Sequence, residues 1–240
     1  MAETLQQLAA SMKDCKGCRL CEERRSVVFG AGPADARVML IGEGPGQNED
    51  EQGLPFVGRA GQLLDRMLDA VDLSRERNVY IANMVKCRPP KNRDPQPDET
   101  EACIGFLREQ VRLIRPKIIV CLGRIAAQRL ISPDFRVTRQ HGEFFMKNGT
   151  LMMGTLHPSA LLRYPAQKPA AFEDFLALKA KILKVCPDVY SPAKGEESAL
   201  SSSVLSQTIC PNPRTAFFRS LPRRKSPGSA VSTKAFPNMR

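Results

Sequence analysis

At 240 residues the chain suits one domain with a sizeable core, plus appendages. Its net charge of +11 favours a polyanionic partner, nucleic acid being the commonest, although a basic surface without one carries the same charge. Residues 1–8 hold no charged-then-apolar leader and no apolar run nears the roughly 18 residues of a membrane helix, so a cytoplasmic protein without membrane contact is expected.

Eight cysteines in such a chain point to metal ligands rather than a disulfide framework. Residues 3–13 have helical spacing and lead into Cys15-Lys-Gly-Cys18-Arg-Leu-Cys21. Two thiolates at Cys-x-x-Cys spacing can hold one metal from a tight turn. The apolar run 38–41 then reads as a buried strand that empties into a stretch with five glycines and two prolines before a helix at 61–71. Gly42 and Gly44 there let backbone N–H groups approach a small planar or anionic partner. Glu43, Glu49 and Phe56 are available for chemistry, but no Gly-Lys-Ser or Gly-Lys-Thr follows, which excludes a phosphate loop.

A second strand is expected at 79–85, running into a proline-rich segment up to Pro97. Asp98, with Glu101 as its box partner, is expected to cap a helix whose apolar face includes Cys103 and which stops before Pro116. A strand at 117–123 and a helix at 124–130 follow. Next come a β segment around 137–146, an Asn148-Gly149 turn, a core strand at 151–156, and a last helix from about 170 to 185.

This alternation implies a three-layer α/β/α fold around a mainly parallel, four-stranded sheet. Ligands in such sheets sit beyond the carboxyl ends of the strands. The glycine stretch, Asn83 with Cys87, and His157 all fall at strand ends on that side. From Pro187 onward serine and proline replace the apolar period, and eight Lys and Arg stand against three acids. Residues 1–186 therefore read as the folded domain and 187–240 as a basic, disordered tail.

Cys15, Cys18, Cys87 and Cys103 form a Cys-x2-Cys, long gap, Cys-x15-Cys set. Four thiolates from three segments can hold zinc or a [4Fe-4S] cluster, and spacing alone leaves both open. Cys121 lies within a strand and reads as core.

Four stretches together resemble the family 4, iron–sulfur uracil-DNA glycosylases. They are Gly42-Glu-Gly-Pro-Gly46, the segment from Gly53 to Leu64, Asn83-Met-Val-Lys-Cys-Arg-Pro-Pro90 and His157-Pro-Ser-Ala-Leu-Leu-Arg163. The resemblance covers about residues 5–185. It implies a monomeric enzyme that acts on uracil-containing DNA and releases free uracil, leaving an abasic site. It also moves the cysteine set from zinc to a [4Fe-4S] cluster. Phe56 would stack on the flipped base, Asn83 would read its Watson–Crick edge, and His157 would stabilise charge on the departing uracil. Glu43 would position water or steady the sugar cation. Gly42 and Gly44 would line the base pocket, and Glu49 and Asn92 match positions tied to activity. Leu161, Leu162 and Arg163 would form the loop that enters the duplex. The proline segment has no histidine of the kind found in a covalently trapping branch, so hydrolysis is expected. Two other classes compete: a non-catalytic DNA-binding module with a structural metal, and a thiol-redox protein, which would need a flavin or nicotinamide fingerprint that the chain does not show.

Overall fold

A computed structural model describes residues 2–191. After helix α1 (Leu5–Met12) and a 3-10 turn at Arg19–Cys21, strand β1 (Val38–Gly42) opens the domain. Helices α2 (Gln47–Gln52) and α3 (Arg59–Asp69) follow, then β2 (Val79–Asn83), a 3-10 turn at Pro90–Asn92 and α4 (Pro97–Ile114). The second half runs β3 (Ile118–Leu122), α5 (Arg124–Leu130), α6 (Val137–Gln140), β4 (Phe144–Lys147), β5 (Thr150–Thr155), α7 (Pro158–Arg163) and α8 (Lys168–Val185). None of these helices is long and apolar enough to cross a membrane.

The sheet has the order β2-β1-β3-β5-β4. Its first four strands are parallel, as expected, and β4 adds a fifth, antiparallel edge strand. Each of the three strands β1, β2 and β3 is buried along its whole length, because both faces of the sheet are covered. Val38, Leu40, Ile81 and Val120 face α3, α7 and α8 in one apolar cluster. Met39, Ile41, Ala82 and Cys121 face α4 and α5 in the other.

Several local expectations are revised. Residues 137–140 are helical, so the edge strand starts only at Phe144, but Asn148 (φ 49°) and Gly149 (φ 77°) do make the tight hairpin turn. Gln96, not Asp98, is the N-cap of α4: Pro97 takes the first helical position, and Glu99 accepts from the Gln96 N–H at 2.8 Å. The glycine stretch contains a helix, α2, closed by Gly53 in the left-handed conformation. The folded body also continues past Cys186. A 3-10 turn at Pro187–Tyr190 buries Val189, whose carbonyl accepts from Asn78 at 3.1 Å. The remainder of the expected tail lies outside the described residues.

Candidate functional site

The parallel register brings the strand ends into line. Gly42 pairs with Asn83, Leu122 pairs with Thr155, and the Gly123 N–H donates to the Thr155 carbonyl at 2.8 Å. Beyond these ends lies a cleft of about 520 Å³, with Glu43, Phe56, Asn83 and His157 among its lining residues. Gly44, Glu49, Asn92 and Arg163 line it as well. Gly42 sits beneath them. A Cβ there would overlap Asn83 Oδ1 and stand 2.6 Å from the Phe56 ring, so glycine is required for these two side chains to share the floor.

Phe56 holds a left-handed backbone (φ 53°), which is costly for an aromatic residue. Arg75 keeps it there, donating to the carbonyls of Pro55 (2.6 Å) and Phe56 (2.8 Å) while pairing with Asp65 at 2.7 Å. The Phe56 and His157 rings lie 5.7 Å apart, with 34° between their planes. The two tilted rings make a partly apolar wall.

Asn83 is 1 % exposed, and its Oδ1 has no hydrogen-bond partner. A buried amide oxygen without a donor costs about 1–3 kcal/mol, which a ligand N–H would recover. His157 begins α7, and its Nδ1 accepts from the Ser159 N–H at 3.1 Å. The neutral ring must then carry its proton on Nε2, as a donor. Burial pulls the imidazole down to about 4, helped by Arg163 and opposed by Glu49, so the ring is neutral near pH 7.

The Glu43 carboxyl is pushed up to about 7, first by burial and then by Asp94, which also hydrogen-bonds it. Arg124 opposes this shift and pairs with Asp94 at 2.6 Å. Because β1 lies between β2 and β3, the Asp94–Arg124 pair spans from the loop after β2 to the start of α5, across the end of β1. Glu49 is engaged differently. Its carboxylate accepts from the backbone N–H groups of Val57 (2.9 Å), Gly58 (2.9 Å) and Gly46 (3.1 Å), stapling the glycine stretch to the start of α3. Asn92 is exposed at the rim in a left-handed conformation (φ 54°) and accepts from Arg88 at 2.8 Å.

One expected group is not where a duplex-entering loop needs it. Leu161 is fully buried in the cluster with α3 and α8, and Leu162 packs partly against it. The stretch after His157 is helical, so Leu161 turns into the core. Arg163 remains exposed at the cleft, joined by Tyr164, which is 63 % exposed.

A sequence profile of the Uracil DNA glycosylase superfamily matches residues 29–179, more than half of the chain. The chain is 40 % identical over 186 residues to a Type-4 uracil-DNA glycosylase of Saccharolobus solfataricus, covering 74 % of this chain and 86 % of that one. A Type-4 uracil-DNA glycosylase of Archaeoglobus fulgidus is 39 % identical over 181 residues, covering 72 % and 90 %. One from Thermotoga maritima is 42 % identical over 163 residues, covering 67 % and 84 %. The chain belongs to the Type-4 uracil-DNA glycosylase family.

A second constellation in this family member lies beside the cleft. Cys15, Cys18, Cys87 and Cys103 line one small cavity together with Lys86 and Arg24. Burial pushes the Cys87 thiol up to about 11, while Arg24, donating to its sulfur at 3.4 Å, acts against that. Among the described residues no three His, Cys, Asp or Glu side chains are gathered closely enough to hold a single metal ion. Cys21 is not among the cavity's lining residues, and Cys121 and Cys186 are buried in the two apolar clusters. Cys210 lies outside the described residues.

Sequence reasoning missed Asp94, Arg124, Arg75 and Lys86. Arg124 directly follows a strand-end glycine and was open to the same strand-end logic that found Asn83. Arg75 and Lys86 act through backbone carbonyls, which leave no mark in a sequence.

Proposed function

We propose that the chain removes uracil from DNA by flipping the base into this cleft and hydrolysing its glycosidic bond. Family membership carries the activity. The observation that carries the assignment of residues is the unpartnered Asn83 Oδ1 in a cleft that the Phe56 ring and a neutral His157 also line. Uracil in a duplex is stacked and paired, so its glycosidic bond becomes reachable only on extrusion. Phe56 stacks on the extruded base and Asn83 Oδ1 accepts from its N3–H. As the bond opens, charge collects on the uracil oxygens, where the His157 Nε2–H donates; removing such a donor costs roughly 10²–10³ in rate. Glu43 orients water or steadies the sugar cation. Glu49, with both oxygens occupied by backbone donors, positions the loop that carries Gly44 and Phe56. No lysine lines the cleft among the described residues, which supports hydrolysis without a lyase step. Arg163 and Tyr164, in place of Leu161, meet the duplex at the mouth, and Asn92 contributes from the opposite rim.

The four cysteines around one cavity fit a [4Fe-4S] cluster: soft donors from three segments facing a common space. Bound there, the cluster would clamp the amino-terminal turn to the start of the proline segment. We place the chain in the cytoplasm as a monomer, with residues from 192 onward as an appendage to the catalytic domain.

Incubating the protein with uracil-containing duplex and scoring alkali-labile sites and free uracil tests the reading. Uracil release with no strand cut before alkali supports it; no release from correctly folded protein ends it. Purified without air, the same protein should contain about four iron atoms per chain, and stoichiometric zinc in their place would overturn the cofactor assignment.

A further inference from the structure

Lys86 is among the largest side chains fully withdrawn from solvent, at 1 % exposure. Its Nζ donates to the Asn83 carbonyl at 2.9 Å and to Gln110 Oε1 at 2.6 Å. Gln110 is itself fixed, donating to the Phe29 carbonyl at 2.9 Å and to the Tyr80 hydroxyl at 3.3 Å. Lys86 also lines the cysteine cavity together with Cys87 and Cys103. One residue therefore touches both the cysteine site and the strand end that presents Asn83.

Both hydrogen-bond partners of this ammonium are neutral. A buried cation without an anion is expensive, and packing alone would favour methionine. Four thiolates around an iron–sulfur cluster carry net negative charge, and that charge needs a counterpart in a buried site. Arg24 supplies one, contacting Cys87 from a partly exposed position. The buried side has Lys86.

We propose that Lys86 is a positioning residue that joins the cysteine site to the base-reading amide. Its ammonium is the interior counter-charge of the cluster, and the same group pins the carbonyl of Asn83. The coupling rests on the glycosylase reading above. Loss of the cluster frees the ammonium, loosens Asn83 and weakens uracil recognition.

Lys86→Met and Lys86→Gln in the full chain, purified anaerobically, test it. Iron per chain, the cluster's reduction potential and inhibition by free uracil are measured for each. Removing the positive charge lowers the potential in both variants, because the reduced cluster loses its counter-charge. The methionine variant also binds uracil about tenfold more weakly, since a charged hydrogen bond to Asn83 is lost. Glutamine keeps a donor and recovers part of that affinity while the potential stays low. Wild-type potential and uracil inhibition in both variants would overturn the proposal, as would a wild-type chain free of iron. If the methionine variant does not fold, a wild-type potential in the glutamine variant is sufficient to reject it. Uracil excision by unmodified protein is scored alongside: wild-type inactivity refutes the functional reading, whereas wild-type behaviour of both variants refutes the coupling.

Discussion

Replacing Asn83 by aspartate sets a carboxylate against uracil O4, two acceptors face to face in a site that is 1 % exposed. A polar mismatch buried this deeply costs about 3 kcal/mol, so uracil excision should fall by roughly 10²-fold while the fold survives. Single-turnover rates on matched U·G and C·G duplexes measure it, and near wild-type excision of uracil would remove Asn83 from the reading role. Glu43 gives a pH signature. Its carboxyl is held up at about 7, chiefly by burial and next by Asp94. If the ionised form serves the reaction, the single-turnover rate rises with pH through about 7. Glu43→Gln flattens that profile, and Asp94→Asn moves its midpoint down. Stability runs the other way: a carboxyl raised in the folded state contributes fully below its unfolded value and loses that contribution as pH climbs through about 7. An activity profile flat between pH 5 and 8 in the unmodified protein would rule out ionised Glu43 as the active form. That Asn83 and His157 line the cleft was legible in the sequence because each ends or follows a strand, and Phe56 because it lies in the glycine stretch after β1, while the roles given to them rested on the family resemblance. Their working states were not: the orphaned Oδ1 of Asn83 depends on what the fold packs around it, and the Nε2–H tautomer of His157 on the local turn that brings the Ser159 N–H to Nδ1.

At the scale of elements, α7 decides what Leu161 does. Read as a loop, residues 161–163 offered two leucines to DNA; wound into a helix capped by His157, the stretch sends Leu161 into the core. Leu161→Ala should therefore cost about 2–5 kcal/mol of stability, as large-to-small core changes do. Tyr164→Ala should leave the melting temperature alone but lower excision from duplex relative to single-stranded DNA. A Leu161→Ala protein of normal stability would return that residue to the DNA-facing side. Short helices were the least legible elements. Helix α2 hid among glycines, and α6 and α7 are too short to show a helical apolar period. The strands and α3, α4 and α8 were legible because burial on both faces of the sheet, or along one face of a long helix, writes a pattern into many residues at once.

For the whole molecule, the alternation of strands and helices was sufficient to give a parallel three-layer fold, whereas the basic tail was read from composition alone. The boundary between them was not legible, because Val189 and Tyr190 are single apolar residues whose packing partners lie elsewhere in the chain. Truncation after Ser191 should keep folding and excision, whereas truncation after Val185 should lower the melting temperature by removing the buried Cys186 and Val189 and leaving Asn78 without the Val189 carbonyl. Residues 192–240 hold eight Lys and Arg against two acids, so the shorter chain should show a flatter salt dependence of DNA binding. Collapse of the chain cut after Ser191 would place part of the domain's stability beyond that residue. The strand order carries a further consequence, for the life of the nascent chain. Glu43, Asn83 and His157 meet only after β5 has docked against β3, and β3 against β1. Emerging from a ribosome, the polypeptide spends most of its synthesis with the leading strands made and no pocket between them. Competence to cut bases arrives in one late step, and a half-finished chain that reached DNA would have nothing with which to damage it.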